Sequence, residues 1–270
     1  HWFRASRDLL NRRQEYETEH SQSYTKDQIL LRFGATPSLR GRFTEAAAKI
    51  AVEIGRFTRF EHVFAINSEE IVEMIDTRQI NCGVVSAANV EDHKATLSIR
   101  PLFHDRIVWA VPASIPTEQV TNALINRSMS SNEAHALNRH VEVIAGVPWG
   151  TRTQAWYRDN LPGSAPFFRA STHQVAVDIV AAGLATCHCP TSLLPNLTEQ
   201  TLDQLRLYDL EMIGRDAVLI MPRHLTSLRP FLDFQTRLCN YVDDTLSDPG
   251  TVRRFEKLPV PDGLLSEIAM

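Results

Sequence analysis

Cysteine is scarce in this chain: Cys82, Cys187, Cys189 and Cys239 are the four present in 270 residues. Their spacing is irregular, so no disulfide framework is expected, and at this length a core needs no covalent staple. With no secretory leader at the start of the sequence, a reduced, cytoplasmic setting is the expectation. No apolar run approaches the roughly 18 residues that a membrane span requires, and no membrane partner is expected. The 11 glycines include no phosphate-binding loop.

An excess of positive charge is also missing. The 28 Lys and Arg are set against 32 Asp and Glu, for a formal net charge of -4. Affinity for a phosphate backbone comes chiefly from concentrated positive charge, so this segment is not expected to bind nucleic acid by itself. Catalytic signatures are absent too: there is no Gly-x-Ser-x-Gly elbow and no His-Glu-x-x-His pair, and isolated Ser, His and Asp residues make no triad without geometry. No enzyme activity, no cofactor and no metal are expected. The sequence begins with His1 and not Met, and the expectation is that it was cut from something longer.

What is present is densest between Ser171 and Pro190, STHQVAVDIVAAGLATCHCP. Ser171 and Thr172 suit an N-cap, because a hydroxyl accepts hydrogen bonds from the free amides of a first helical turn. Val175, Ile179, Val180 and Ala182 then recur at helical spacing, Gly183 stops the helix, and Leu184 to Cys189 reads as a buried strand closed by Pro190. In a strand the side chains alternate, so Cys187 and Cys189 share one face while His188 points to the other. The trio cannot converge on one ion without a bend, and a core role is expected for it.

The remainder alternates strand and helix. Residues 1–20 read as an exposed helix with Trp2, Leu9 and Tyr16 seven apart and Phe3 and Leu10 alongside. Ile29 to Gly34 is a strand that runs through Thr36 to Leu39 into a helix carrying Phe43, Ala46, Ala47, Ile50 and Ile54; the free amides at such a start suit an anionic or strongly polar group. His62 to Ile66 and Gln79 to Ser86 are strands, with a helix capped by Ser68 between them. Leu97 to Phe103 and Arg106 to Pro112 read as two more strands. This order requires crossover connections and a parallel sheet. A helix around Glu118 to Ile125, strands at Val141 to Ala145, Pro166 to Ala170, Leu205 to Leu210 and Ala217 to Met221, and an amphipathic helix from Leu228 to Val242 follow. After Asp243 the pattern weakens into an irregular tail.

These residues resemble the effector-binding domain of LysR-type transcriptional regulators. The resemblance rests on ILLRFGATPSL followed by a helix, QINCGVVS, PLFHDRIVWAVP, and above all HQVAVDIVAAGLATCHCP followed by TSLLP. It implies an α/β fold of the type 2 periplasmic-binding-protein class, two Rossmann-like lobes joined by crossing strands and preceded by a linker helix. The implied parts are a linker and dimerisation helix over 1–22, lobe I over 27–109 and 217–243, lobe II over 110–216 and a tail over 244–270. DNA would be bound only through an N-terminal winged helix-turn-helix domain that this sequence lacks.

The resemblance further implies a small-molecule effector, such as an organic or amino acid, held in a cleft between the lobes of a homodimer or homotetramer. Carried over residue by residue, the effector contacts would be Thr36, Pro37, Ser38 and Leu39 in the first lobe, Phe103 near the hinge, Pro148, Trp149, Gly150 and Thr151 in the second, and Thr172 and His173 at the start of the Ser171 helix. Arg152 offers a planar fork of donors to a carboxylate. A rival reading on the same fold is the solute-binding protein of a transport system, which predicts a leader peptide in the full gene and a monomer.

Overall fold

A computed structural model of the chain describes residues 6–7, 9–13, 29–39, 43–126, 135–144, 147–246 and 255–259, with the side chains at 38, 147–149, 211–213 and 246 outside that description. Two units emerge from it. Unit 1 is drawn from His1–His104 and Asp216–Ser247, and unit 2 from Asp105–Arg215 and Asp248–Met270.

In unit 1 the alternation of strand and helix does what crossover geometry demands. Strand β1 (Ile29–Ala35) lies parallel to both β2 (Phe57–Phe64) and β3 (Cys82–Ser86). Helix α1 (Phe43–Ile54) and helix α2 (Ser68–Asp76) supply the connections. Because helices cover such a sheet, β1 and β3 are largely buried: Leu31, Phe33 and Leu39 pack with Phe43, Phe231 and Phe234, while Ile71, Ile75, Ile80 and Val85 form a second cluster. The cap of α2 is Asn67 and not Ser68. Its side chain accepts from the amide of Glu70 at 2.8 Å, and the Glu70 carboxylate reaches back to the amide of Ile66 at 2.7 Å, a reciprocal arrangement that satisfies two orphan donors. The Ser68 hydroxyl instead accepts from the amide of Ser86 at 3.1 Å.

Two strands are longer than their apolar pattern suggests. The segments expected as separate strands are one strand, β4 (Leu97–Pro112), and the pair beginning at Leu205 is one strand, β8 (Leu205–Pro222). The polar residues that interrupt the pattern find tertiary partners: Asp105 is fully buried against Arg215, and the Arg106 guanidinium meets the Asp209 carboxylate. The C-terminal half of β8 pairs antiparallel with β3 in unit 1. Helix α7 (Arg229–Leu246), longer than the expected Leu228 to Val242, buries Phe231, Phe234, Leu238 and Val242 and leaves Leu232 and Tyr241 exposed. Residues 6–7 and 9–13 are helical, Leu9 and Leu10 are exposed, and the Asn11 amide donates to the Thr77 carbonyl at 3.1 Å. Trp2, Phe3 and Tyr16 of the expected seam lie outside the described residues.

Unit 2 contains helices α3 (Thr117–Asn126), α4 (Val147–Asn160), α5 (His173–Ala181) and α6 (Glu199–Asp203). Strand β7 (Cys187–Pro190) pairs antiparallel with Ile107–Ala110 of β4, and β5 (Arg139–Val143) pairs parallel with β6 (Ala165–Ala170). A bridge from His140 to Thr186 ties β5 to the start of β7. Where an irregular tail was expected, Phe255–Lys257 forms β9, parallel to β8. Phe255 carries the Arg106 guanidinium 5.3 Å from its ring centroid, a cation–π contact that holds this short strand down.

Close packing in unit 1 is tightest where β1 and β3 run side by side. A Cβ added at Gly83 would stand 2.6 Å from Ile71 Cγ2 and 3.2 Å from the Gly34 carbonyl oxygen. Backbone cannot move aside as a side chain can, so Gly83→Ala is expected to destabilise the protein by about 1–3 kcal/mol. Urea denaturation checks this; an unchanged midpoint would show that the pair of strands has slack.

Candidate functional site

The Ser171 to Pro190 segment builds one wall of a concavity in unit 2. Thr172 is the N-cap of α5, with extended φ and ψ of -139° and 151°, and its hydroxyl accepts from the amide of Val175 at 3.3 Å. Satisfying that amide lets the helix start at His173, which is 3% exposed. The buried face of α5 is His173, Ala176, Val177 and Val180; Val175, expected on it, is exposed. Gly183, at φ +78°, ends the helical turn in the left-handed region that glycine adopts without strain.

Strand β7 follows, and its alternation separates two chemistries. Cys187 and Cys189 enter the apolar cluster with Val108, Val177 and Val180. Burial pushes both thiols up, Cys189 to about 12, so neither is a thiolate at neutral pH. Among the described residues no group of His, Cys, Asp and Glu is placed to hold a metal ion. His188 faces the other way and lies edge-on to Trp156 and Tyr157, at centroid distances of 4.9 and 4.6 Å.

Two further histidines join it. His140 on β5 stacks on the Tyr157 ring at 3.9 Å and 12°, with its Nδ1 3.1 Å from the Ser164 hydroxyl. Tyr157 is held by its own hydroxyl, 2.9 Å from that of Thr186. His140, His173 and His188 together line an open concavity, with Tyr157, Glu142 and Gln154 also in its wall. Every lining residue belongs to unit 2.

All three imidazoles are neutral at physiological pH. Burial lowers His140 to about 4. Burial and then the Arg215 guanidinium lower His173 to about 3. Burial, His140 and His173, in that order, lower His188 to about 3. Arg215 is itself neutralised by Asp105, which accepts from its Nε and Nη2 at 3.2 and 2.9 Å. His173 Nδ1 and His188 Nε2 are buried with no hydrogen-bond partner. An imidazole nitrogen in that position costs free energy until something meets it.

The structure brings together some of the predicted residues and not others. Gly150 and His173 line the concavity, and Thr172 caps the helix behind it. Pro148 and Trp149 fall in the first turn of α4, which begins at Val147 and so ahead of the expected start, and their side chains are outside the description. Thr151 and Arg152 are exposed on α4; Arg152 Nη1 donates to the Gly214 carbonyl at 3.2 Å. Thr36, Pro37, Ser38, Leu39 and Phe103 belong to unit 1. There Pro37–Leu39 is a 3-10 turn ahead of α1, with the Leu39 amide bonded to the Thr36 carbonyl at 3.0 Å. Thr36 and Leu39 are buried, and Phe103 packs 5.9 Å from Phe43. The Ser38 side chain lies outside the described residues. Glu142, Gln154, Tyr157, His140 and His188, the last expected only as a core residue, were missed, although His140 and Glu142 stand two apart, the spacing that puts both on one face of a strand.

Comparison with known proteins identifies the scaffold that carries this concavity. Residues 30–238 match the family described as the LysR substrate binding domain. The chain belongs to that family. It is thus the effector-binding domain of a LysR-type regulator, with the mixed α/β fold of type 2 periplasmic-binding proteins and in a family of regulators, not enzymes. No curated protein matches the chain. Among solved structures, a C206 mutant of OxyR from Corynebacterium glutamicum is 13% identical with a TM-score of 0.61, covering 92% of this chain and 75% of that one. A reduced form of OxyR from N. meningitidis is 12% identical with a TM-score of 0.55, covering 78% and 94%. The BenM effector binding domain with its effector benzoate is 17% identical with a TM-score of 0.56, covering 82% and 95%. At these identities the likeness is one of fold. Among the described residues of this LysR domain, no helix is long and apolar enough to cross a membrane.

The buried histidines make stability depend on acid in a definite direction. Each has an ordinary value of 6.5, against about 4 for His140 and about 3 for His173 and His188 in the folded chain. Below 6.5 the unfolded chain takes up protons that the folded chain refuses, so stability falls from there toward pH 4 and is unaffected by these groups above 6.5. In urea denaturation across that range, His188→Leu should lessen the slope by about 1.4 kcal/mol per pH unit. Parallel slopes for variant and parent would contradict it.

Proposed function

We propose that this LysR-family chain is the sensing part of a cytoplasmic transcriptional regulator that binds a small-molecule effector and, as a homodimer or homotetramer, passes that event to DNA-binding domains N-terminal to it. The observation that carries the reading is the concavity of unit 2, with two buried imidazole nitrogens that lack partners. A small polar molecule that meets those nitrogens would bind the folded chain and not the unfolded one. Small organic acids and amino acids are the proposed effector class. The BenM effector domain, which shares the fold, was solved with benzoate, an organic acid.

For regulation, the effector must bind one conformational state better than another, since equal affinity shifts nothing. Thr36, Pro37, Ser38, Leu39 and Phe103 of unit 1, together with Pro148, Trp149, Thr151, Arg152 and Thr172 of unit 2, remain part of the proposal as further effector contacts.

A thermal-shift screen of amino acids and small organic acids should yield a compound that raises Tm, by about 2.7 kcal/mol of added stability at 100 times its Kd. Gly150 makes the site testable without risk to the fold: a Cβ there meets nothing within 4 Å. Gly150→Leu should fold, gain helix propensity, fill the concavity and abolish the ligand-induced rise in Tm. An undiminished rise in the variant would place the effector elsewhere. In the full-length protein the same compound should change binding to promoter DNA near its own gene, and failure to bind any such DNA would sink the regulatory reading.

A further inference from the structure

The histidine concavity has a charge that favours one kind of ligand group. Its three imidazoles are neutral, and Glu142 is the only carboxylate among its described lining residues. Gln154 Nε2 donates to Glu142 Oε1 at 3.2 Å, which orients the carboxylate. The cations nearby are committed or outside. Arg215 is paired with Asp105, Arg152 donates to the Gly214 carbonyl, and Arg169, the register partner of Glu142, is exposed on β6. None of the three lines the concavity.

An anionic group entering here would lose its hydration beside a carboxylate, with no cation in the wall to compensate. The neutral imidazoles could offer it N–H hydrogen bonds only, with no positive charge to offset Glu142. A protonated amino group meets the opposite situation. It is a donor with three N–H bonds, and the wall offers a counter-charge and two unpartnered nitrogens, each an acceptor in the tautomer that keeps its proton on the other ring nitrogen.

We propose, resting on the reading of this concavity as the effector site, that it accepts a protonated amino group. The group donates hydrogen bonds to the lone pairs of His173 Nδ1 and His188 Nε2 and takes Glu142 as its counter-ion. The effector is then a primary amine or an amino acid held by its amino end, so that of the two classes proposed above this concavity selects amino acids over simple organic acids.

Matched probes test the assignment: butylammonium and butyrate have the same chain length and opposite charge. In isothermal titration calorimetry near neutral pH, in buffers of differing ionisation enthalpy, butylammonium should bind with no proton uptake and butyrate should not bind. Glu142→Gln, which keeps the shape of a partly exposed residue, and His188→Leu should each weaken butylammonium by roughly 10- to 100-fold. Circular dichroism of both variants confirms that they fold. Butyrate binding as tightly as butylammonium, with or without proton uptake, butylammonium binding unchanged in Glu142→Gln, or no binding of butylammonium would each overturn the proposal. If butylammonium is inert while a screened effector raises Tm and loses that effect in Gly150→Leu, the effector site stands and the amino-group assignment falls. If no screened compound binds, the effector reading falls with it.

Discussion

Asp105 accepts five hydrogen bonds with no exposure to solvent: two from Arg215, two from Ser192 and one from the Thr191 hydroxyl. These partners lie on β8 and in the turn after β7, while Asp105 sits on β4, so one carboxylate fastens three segments that are distant in sequence. A buried charge is tolerable only when paired and fully bonded, and breaking such a pair typically costs about 3–5 kcal/mol. The consequences reach the candidate site. Burial chiefly keeps His173 neutral and the Arg215 guanidinium adds to it, yet with Arg215 held by Asp105 no uncompensated positive charge is brought toward the concavity.

The chemistry of the site follows from alternation along a four-residue strand. One face of β7 sends Cys187 and Cys189 into the apolar core, where burial keeps the thiols protonated; the other sends His188 toward Tyr157. Burial that protects an apolar core also strips the histidines of charge, and the ring stack of His140 on Tyr157 fixes their arrangement. The result is a wall of neutral imidazoles beside one carboxylate, Glu142, on a LysR-family scaffold. Ligand choice is then governed by hydrogen-bond direction and by one carboxylate, not by a cluster of cations.

Much of this was legible in the sequence because local physics decided it. Thr172 caps, Gly183 stops, and the order of elements before Ser86 demands a parallel sheet; the structure has all three. The alternation argument also set His188 opposite the two cysteines. The long strands were not legible, since Asp105 and Arg215 fall in the gaps between the expected strands until they are known to be partners, 110 residues apart. The concavity itself was half visible. Gly150 and His173 were named from the family resemblance, but His140 stood just ahead of the strand expected at Val141, which begins at Arg139. No periodicity announces that residues on β5, α4, α5 and β7 meet, because that is a property of tertiary packing.

The account depends on neutral histidines that wait for a ligand, and imidazole nitrogen shifts report that state directly. The chain has ten histidines. In two-dimensional NMR of histidine-labelled protein, three of them should stay neutral well below 6.5, the ordinary histidine value, and the resonances of His173 and His188 should move when an effector binds. Titration of every histidine near 6.5, or an effector that leaves these two unmoved, would contradict it.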